Sequence, residues 1–367
     1  MITVVLWIVG LTSLSFQLIY LLLIFGRLSF LKNNNTKNKS FVNNQEGVCV
    51  LIVAHNEREN LKSLIPAIFS QEYPNYEVMV VNDRSNDGTR QMLEEFLSIY
   101  PKLRTVTVKS VPDNVHPKKY ALTLGIKVSK FDILLLTDAD CLPVSNNWIE
   151  RMTSPLRNDG KDFALGHSPY KKEEGFLNRW IQYETLWTSI LSFSFALWKA
   201  PILGVGRNLC YRKSFFLSRK AFNGLWDVIG GDDDLFVNRY AKGKNTAVVI
   251  HEESCTISIP KTTWDSYFIQ KKRHLNVGKY YKLIDKIKIG IYSLTHLLFW
   301  ISSISLLIIT AFENNWEHFL YIIGIIIVRL ILLTSVIYGA SKKLEGKTRG
   351  WFTPLFDGLY LGYYWIL

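Results

Sequence analysis

The 367-residue sequence holds only four cysteines, Cys49, Cys141, Cys210 and Cys255, and no two of them stand as C-x-x-C. That excludes a cysteine-built metal site and a disulfide framework, and it suits a reducing cytoplasm. A G-x-G-x-x-G run is also missing from the first strand-to-helix turn, where Asn56-Glu57 stands instead. This weighs against a dinucleotide-dependent oxidoreductase. Charge is absent from Ile2 to Phe25, and no basic residue precedes that run. A secretory signal would carry a positive n-region, a shorter apolar core and a small-residue cleavage site. A retained anchor fits better, because about 20 apolar residues span a bilayer.

Apolar residues, by contrast, are plentiful: 48% of the chain is hydrophobic and 14% aromatic, concentrated toward the two ends. Ile289–Ala311 and Phe319–Ala340 are two further candidate spans. The last contains Arg329, which is costly at mid-membrane unless it snorkels or faces protein. The loop between these spans carries Glu313 and Glu317 and no Lys or Arg. Basic residues flank the other ends: Arg27, Lys32, Lys37 and Lys39 after the first span, and Lys342, Lys343, Lys347 and Arg349 after the third. The positive-inside rule then puts the middle of the chain in the cytoplasm. Much of the +12 net charge flanks apolar spans, where anionic headgroups account for it, so no nucleic-acid partner is expected.

The expected organisation is an N-terminal transmembrane helix over 1–25, a basic linker over 26–47, a cytoplasmic catalytic domain over 48–285 and two transmembrane helices over 286–340. A basic loop and a C-terminal apolar segment follow over 341–367. Trp351–Leu367 is aromatic and holds Asp357, and its composition leaves open a fourth span or an interfacial helix. The aromatic stretch Phe176–Leu203, with Trp180, Tyr183, Trp187, Phe193, Phe195 and Trp198, reads either as core or as a helix at headgroup level. The interfacial reading is preferred around 176–203.

Within the middle, Val48–Val53 is a continuous apolar run, the mark of a buried parallel strand. Asn60–Phe69 places Leu61, Leu64, Ile65 and Ile68 on one helical face. Strands are expected at Tyr76–Val81, Leu103–Val108 and Ile133–Leu136, and helices at Arg90–Tyr100 and Lys119–Val128. The alternation implies an α/β fold with a mostly parallel, doubly wound sheet. Ligands of such sheets sit beyond the carboxyl ends of the strands. His55-Asn56-Glu57, Asn82-Asp83-Arg84-Ser85 and Thr137-Asp138-Ala139-Asp140 all lie at those ends. Two hard carboxylates in Asp138-Ala139-Asp140 suit a divalent metal that in turn holds phosphates. Asp83, directly after its strand, is placed for a ligand, whereas Asp87 or Ser85 suits a helix cap.

These segments resemble glycosyltransferase family 2. Val53-Ala54-His55-Asn56-Glu57 is similar to its opening strand motif, and Val80-Val81-Asn82-Asp83-Arg84-Ser85-Asn86-Asp87-Gly88-Thr89 to its V-D-D-x-S-x-D-G-T segment. Lys118 with Ala121-Leu122 and Gly125 resembles K-x-x-A-L-x-x-G, and Asp138-Ala139-Asp140 resembles D-x-D. Gly231-Asp232-Asp233-Asp234-Leu235 is similar to E-D-x-D-L, and Gln270-Lys271-Lys272-Arg273-His274 to Q-x-x-R-W. The motifs run in the family's order across roughly residues 48 to 275. Two departures stand out: Gly231 replaces the Glu, and His274 replaces the Trp.

The resemblance implies a GT-A nucleotide-diphospho-sugar transferase fold with flanking transmembrane helices, and inverting transfer. Ala54, Asn56 and Glu57 would line the donor site, Asp83 would contact the base, and Lys118 would sit near the nucleotide or its diphosphate. Asp138 would help hold diphosphate and ribose, and Asp140 would bind Mg²⁺ or Mn²⁺, with Asp138 beside it. Gln270 and Arg273 would clamp the diphosphate and shape the acceptor site. Asp232 would be the general base, with Asp233 the alternative; either could instead cap the helix that follows. His274 would be structural or acceptor-facing.

The expected function is transfer of a sugar from a nucleoside diphosphate sugar, with a UDP-sugar favoured, to a lipid or lipid-linked acceptor at the inner face of the cell membrane. A processive polysaccharide synthase is the alternative, although three or four spans offer little wall for a channel. An inactive scaffold relative is the other, and the near-complete motif set argues against it. The sequence leaves the oligomeric state open.

Overall fold

The computed structural model describes residues 1–30, 46–346 and 352–366. The greater part of the basic linker, the loop residues Lys347 and Arg349, and Trp351 lie outside the described residues. The chain divides into two compact units.

One unit is the α/β domain, built from residues within 33–185 and 196–280. Its expected elements form in order: β1 (Val48–Ala54), α2 (Arg58–Phe69), β2 (Tyr76–Asp83), α3 (Thr89–Ile99), β3 (Leu103–Val108), α4 (Pro117–Val128) and β4 (Ile133–Leu136), with α1 reserved for the N-terminal span. Strands β1 to β4 are parallel, in the order β3-β2-β1-β4. Their side chains alternate between faces. Val48, Val50, Ile52, Val78 and Val80 bury against Leu61, Leu64, Ile65 and Ile68 of α2 and Met92 and Leu93 of α3. On the other face Leu51 and Val81 meet Gly125 of α4, where a Cβ would lie 2.7 Å from both.

Beyond β4 the pattern changes. β5 (Cys141–Pro143), α5 (Trp148–Asn158), β6 (Phe163–Leu165), α6 (Phe176–Leu197), β7 (Leu209–Arg212), α7 (Lys213–Ser218), α8 (Asp234–Tyr240), β8 (Thr246–Val248), β9 (Thr256–Ser258) and α9 (Trp264–Val277) follow. β7 pairs antiparallel with β4 and with β6, and β8 pairs parallel with β6, completing a seven-stranded sheet of order β3-β2-β1-β4-β7-β6-β8. A separate β5–β9 pair carries the chain just after Asp140.

The other unit is helical: Met1–Lys32, Leu186–Phe195 and Tyr281–Leu367. Three of its helices are long and apolar enough to cross a membrane: α1 (Ile2–Ser29), α10 (Leu283–Phe312) and α11 (Trp316–Glu345). A shorter helix, α12 (Thr353–Ile366), follows. Polar residues inside the unit find each other. Gln17 donates to the Tyr292 carbonyl at 3.0 Å and to Thr295 Oγ1 at 2.9 Å. Arg329 does face protein rather than lipid, and its partners are Asp357 and Gln17.

Part of the expected aromatic stretch is protein core. Trp187, Phe193 and Phe195 are buried in the helical unit, with Phe25 set edge-on to Trp187 at 5.0 Å. Trp180 is buried in the α/β domain, whereas Trp198 is exposed.

Candidate active site

The carboxyl ends of β1 and β2 are sewn together by their own loops. His55 Nδ1 lies 2.6 Å from the Asp83 carbonyl oxygen, and the Asn56 N–H donates to Ser85 Oγ at 2.9 Å. Asp87 accepts from the N–H groups of Arg58 and Thr89, so it ties the two loops and satisfies the first N–H of α3, whose N-cap is Gly88. Asp83 is buried, with its carboxylate held 2.8 Å from Arg84 Nε. Ala54 is buried at the end of β1, beside Asn82 of β2. Glu57 accepts from Asn60 Nδ2 at 2.6 Å. Burial raises its pKa, and Asp140 and Asp138 add to the rise, so Glu57 belongs to the same acidic pocket.

Lys118 is the centre of the site. Its Nζ lies 3.1 Å from Asp138 Oδ1 and 3.1 Å from Asp232 Oδ2. Burial opposes the ammonium charge, but Asp138, Asp232 and Asp233 outweigh it and lift its pKa well above normal. The same contact works on Asp232. Burial would raise its carboxyl, yet the charge and hydrogen bond of Lys118 hold it below the ordinary range.

Asp232 and Asp233 divide their tasks. Asp233 Oδ1 accepts from the Asp234 N–H at 2.8 Å and caps α8. Its Oδ2 accepts from the Gly206 N–H. Glycine allows that approach, since a Cβ on Gly206 would stand 3.0 Å from the same oxygen. With both oxygens on backbone donors, Asp233 is the cap, and burial with the charge of Asp232 lifts its pKa to about 6. Gly231 explains the lost Glu. Its φ is +72°, and a Cβ there would meet Leu235 Cδ1 at 2.5 Å, so a larger residue would be strained and would have to displace Leu235.

Asp140 is raised by burial and then by Asp138. Among the described residues no group of three or more His, Cys, Asp or Glu is arranged to hold a metal. Two carboxylates suit Mg²⁺ or Mn²⁺ nonetheless, because such ions are commonly bound by one or two protein carboxylates with phosphates and water filling the rest. The crowded negative charge on Asp138, Asp140 and Glu57 is what a divalent cation relieves. The residues fit the ion.

Gln270 and Arg273 lie on α9. Gln270 Nε2 reaches the Tyr170 hydroxyl at 3.4 Å, and Arg273 and His274 are exposed. A buried strut holds this helix: Lys271 pairs with Glu184 of α6, and Trp180 Nε1 donates to the Tyr267 hydroxyl at 2.8 Å. Sequence reasoning passed over Lys271 because it reads as one of three consecutive basic residues. It also passed over His116, which precedes α4. Burial and then Lys119 push its imidazole pKa down, with Asp232 pulling the other way. Only an electrostatic neighbourhood, invisible in one dimension, marks it.

The glycosyl transferase family 2 model matches residues 49–221. The chain carries a family 2 glycosyltransferase domain. This domain is similar to glycosyltransferase AglE of Haloferax volcanii, at 33% identity over 130 residues, 35% of this chain and 41% of that protein. The probable glycosyltransferase YdaM of Bacillus subtilis is 25% identical over 299 residues, 79% of this chain and 67% of that protein. The dolichol-phosphate mannosyltransferase of Pyrococcus furiosus is 33% identical over 142 residues, 38% of this chain and 37% of that protein. The chain thus spans less than half the length of the Haloferax and Pyrococcus relatives. Among solved structures, a mannosyltransferase of Pyrobaculum calidifontis, in complex with GDP-Man and Mn²⁺, superposes with a TM-score of 0.57 at 17% identity over 93% of this chain and 99% of that one. The family 2 domain has the GT-A fold.

Proposed function

We propose that this protein transfers a sugar, with inversion, from a nucleoside diphosphate sugar to a lipid or lipid-linked acceptor at the cytoplasmic face of the cell membrane. The observation that carries this reading is the single ammonium of Lys118 shared by Asp138 and Asp232. It joins the carboxylate pair suited to a metal-held diphosphate to the carboxylate suited to a proton.

Asp232 takes the proton of the acceptor hydroxyl as its oxygen bonds to the anomeric carbon. The bond from that carbon to the diphosphate breaks on the opposite face, and the nucleoside diphosphate leaves. Lys118 keeps Asp232 ionised, and so ready to accept, well below neutral pH. Bound at Asp138 and Asp140, a divalent ion would neutralise the departing phosphates. Gln270 and Arg273 face the same leaving group from α9, and Asp83 holds the base end. Asp233 keeps the loop in place through its backbone hydrogen bonds.

Three apolar helices, the basic flanks and the Glu-bearing loop support a multi-pass protein with a cytoplasmic domain. The pairing of α12 with Arg329 supports an inserted C-terminal helix rather than one lying flat. The exposed Trp198 supports a membrane-boundary position for the far end of the aromatic stretch around 176–203. A lipid acceptor accords with the Pyrococcus relative, named for dolichol phosphate. A synthase from Staphylococcus epidermidis, named for poly-β-1,6-N-acetyl-D-glucosamine, is 31% identical over 96 residues and keeps polymer formation as the second reading.

The test is transfer by the detergent-purified chain from a panel of UDP- and GDP-sugars, with Mn²⁺ or Mg²⁺ and a total lipid extract. One labelled sugar on lipid supports the proposal and names the donor. Long polymer favours the synthase, and absence of any nucleotide binding favours an inactive relative.

A further inference from the structure

The turn Gly206–Asn208, between α6 and β7, is fixed on every side. Gly206 N–H is bound by Asp233. The Arg207 carbonyl accepts from Thr137 Oγ1 at 3.2 Å and from Thr256 Oγ1 at 3.0 Å. Asn208 is fully buried; it donates to the carbonyls of His167 and Ser254, each at 2.7 Å, and accepts from Trp148 Nε1 at 3.0 Å. All of this sets the direction of one side chain that the mechanism above does not use.

The Arg207 guanidinium lies over the ring of Tyr170, 4.2 Å from its centre. Its Nη1 is buried and has no hydrogen-bond partner among the described residues. Burial works against the charge, but Tyr170, Cys141, Asp140 and Asp138 act together to hold it. Among the cations acting on Asp140, Arg207 counts for more than Lys118. Tyr170 in turn accepts from Gln270. A guanidinium therefore stands near the D-x-D carboxylates, the stacking Tyr170 and the α9 glutamine, with its Nη1 unspent.

We infer that Arg207 is a donor-binding residue whose free Nη1–H engages a phosphate oxygen of the nucleoside diphosphate. This rests on the donor-site reading above. Arginine stays protonated at any working pH, so its charge cannot be shed to ease burial. An unmade buried hydrogen bond is costly, and hydrogen bonds to ionised partners are the strong ones. A residue serving only as counter-ion to Asp138 and Asp140 would spend its donors on their oxygens, and Nη1 does not. A diphosphate held by a metal at those carboxylates would bring the missing acceptor, already anionic and shaped for a planar fork.

The experiment measures binding of UDP and GDP, each with Mn²⁺, to the detergent-purified full chain by calorimetry, with UMP, GMP and the free nucleosides alongside. Arg207→Gln is expected to weaken the preferred diphosphate about ten- to a hundredfold. Nucleoside affinity should stay within about threefold, because the lost contact is to phosphate. Arg207→Lys, which keeps the charge, should recover part of the loss. Diphosphate affinity matching wild type in Arg207→Gln overturns the inference, as does an equal loss for nucleoside and diphosphate, which would make Arg207 purely structural. If the wild-type chain binds neither diphosphate, the donor-site reading itself falls, and that outcome is separate from any failure of the variants.

Discussion

Arg329 and Asp357 form a two-pronged ion pair inside the helical unit, with Nη1 to Oδ2 at 2.6 Å and Nη2 to Oδ1 at 3.2 Å. Asp357 also lies 3.1 Å from His296 Nε2 and accepts from Trp300 Nε1 at 3.0 Å. The arginine adds a bond to Gln17 Oε1 and sits over the Phe299 ring. Four helices, α1, α10, α11 and α12, meet at this one cluster, about halfway along each of the three long ones.

Breaking the pair from one side takes the opposite charge away from a buried ion, which typically costs about 3–5 kcal/mol. Arg329→Leu and Asp357→Leu should each lower the melting temperature in detergent more than the double variant does. Additive losses in that double-mutant cycle would show that the two residues are not coupled.

Asp232→Asn should abolish transfer while leaving the melting temperature and nucleoside diphosphate affinity near wild type. Asp233→Ala should do the reverse in kind: it removes the cap of α8, worth about 0.5–2 kcal/mol, and loosens the Gly206 turn. Turnover by Asp232→Asn at wild-type rate would move the base elsewhere.

The pH profile tests Lys118. Its charge lowers the pKa of Asp232, so the acidic limb of kcat/KM in the wild type should fall only at low pH. In Lys118→Met that pull is lost and burial is left to act, which raises a carboxyl. The base is then protonated at higher pH, so the acidic limb should shift toward neutrality. A limb that stays where it was would uncouple Lys118 from the base.

Asp140→Ala should lose metal-dependent binding of the nucleoside diphosphate together with activity. Chelation of the wild type should do the same, and re-addition of Mn²⁺ or Mg²⁺ should restore it. Full activity in excess chelator would remove the metal from Asp138 and Asp140.

Lys271 tests how α9 is held. Lys271→Met takes the ammonium away from the buried Glu184 carboxylate, which keeps the Tyr267 hydroxyl, so a loss of up to about 3–5 kcal/mol is expected. Pairing it with Glu184→Leu should restore much of that stability. Equal melting temperatures for wild type and Lys271→Met would show that the strut carries no weight.

The α/β half of the fold was legible because it is locally encoded. A strand buried on both faces must be apolar along its length, as at Val48–Val53 and Ile133–Leu136, and a helix packed on one face must repeat its apolar residues as Leu61, Leu64, Ile65 and Ile68 do. The polar breaks at the strand ends put Asp83, Asp138 and Asp140 forward as candidates with no coordinates at all, and motif order added Lys118, Asp232, Gln270 and Arg273 as further candidates. What stayed hidden depends on partners distant in the chain. The strands β5 to β9 are three or four residues long, too short for a period to register. Nothing local separates Asp232 from Asp233; the Gly206 N–H, reaching in from another loop, makes one the cap and leaves the other to Lys118. Lys271 and Gln17 likewise read as ordinary polar residues until folding encloses them. A side chain's identity carries its chemistry, but its charge state and its spare donors are set by what surrounds it, and for these residues that is supplied by segments far away in sequence.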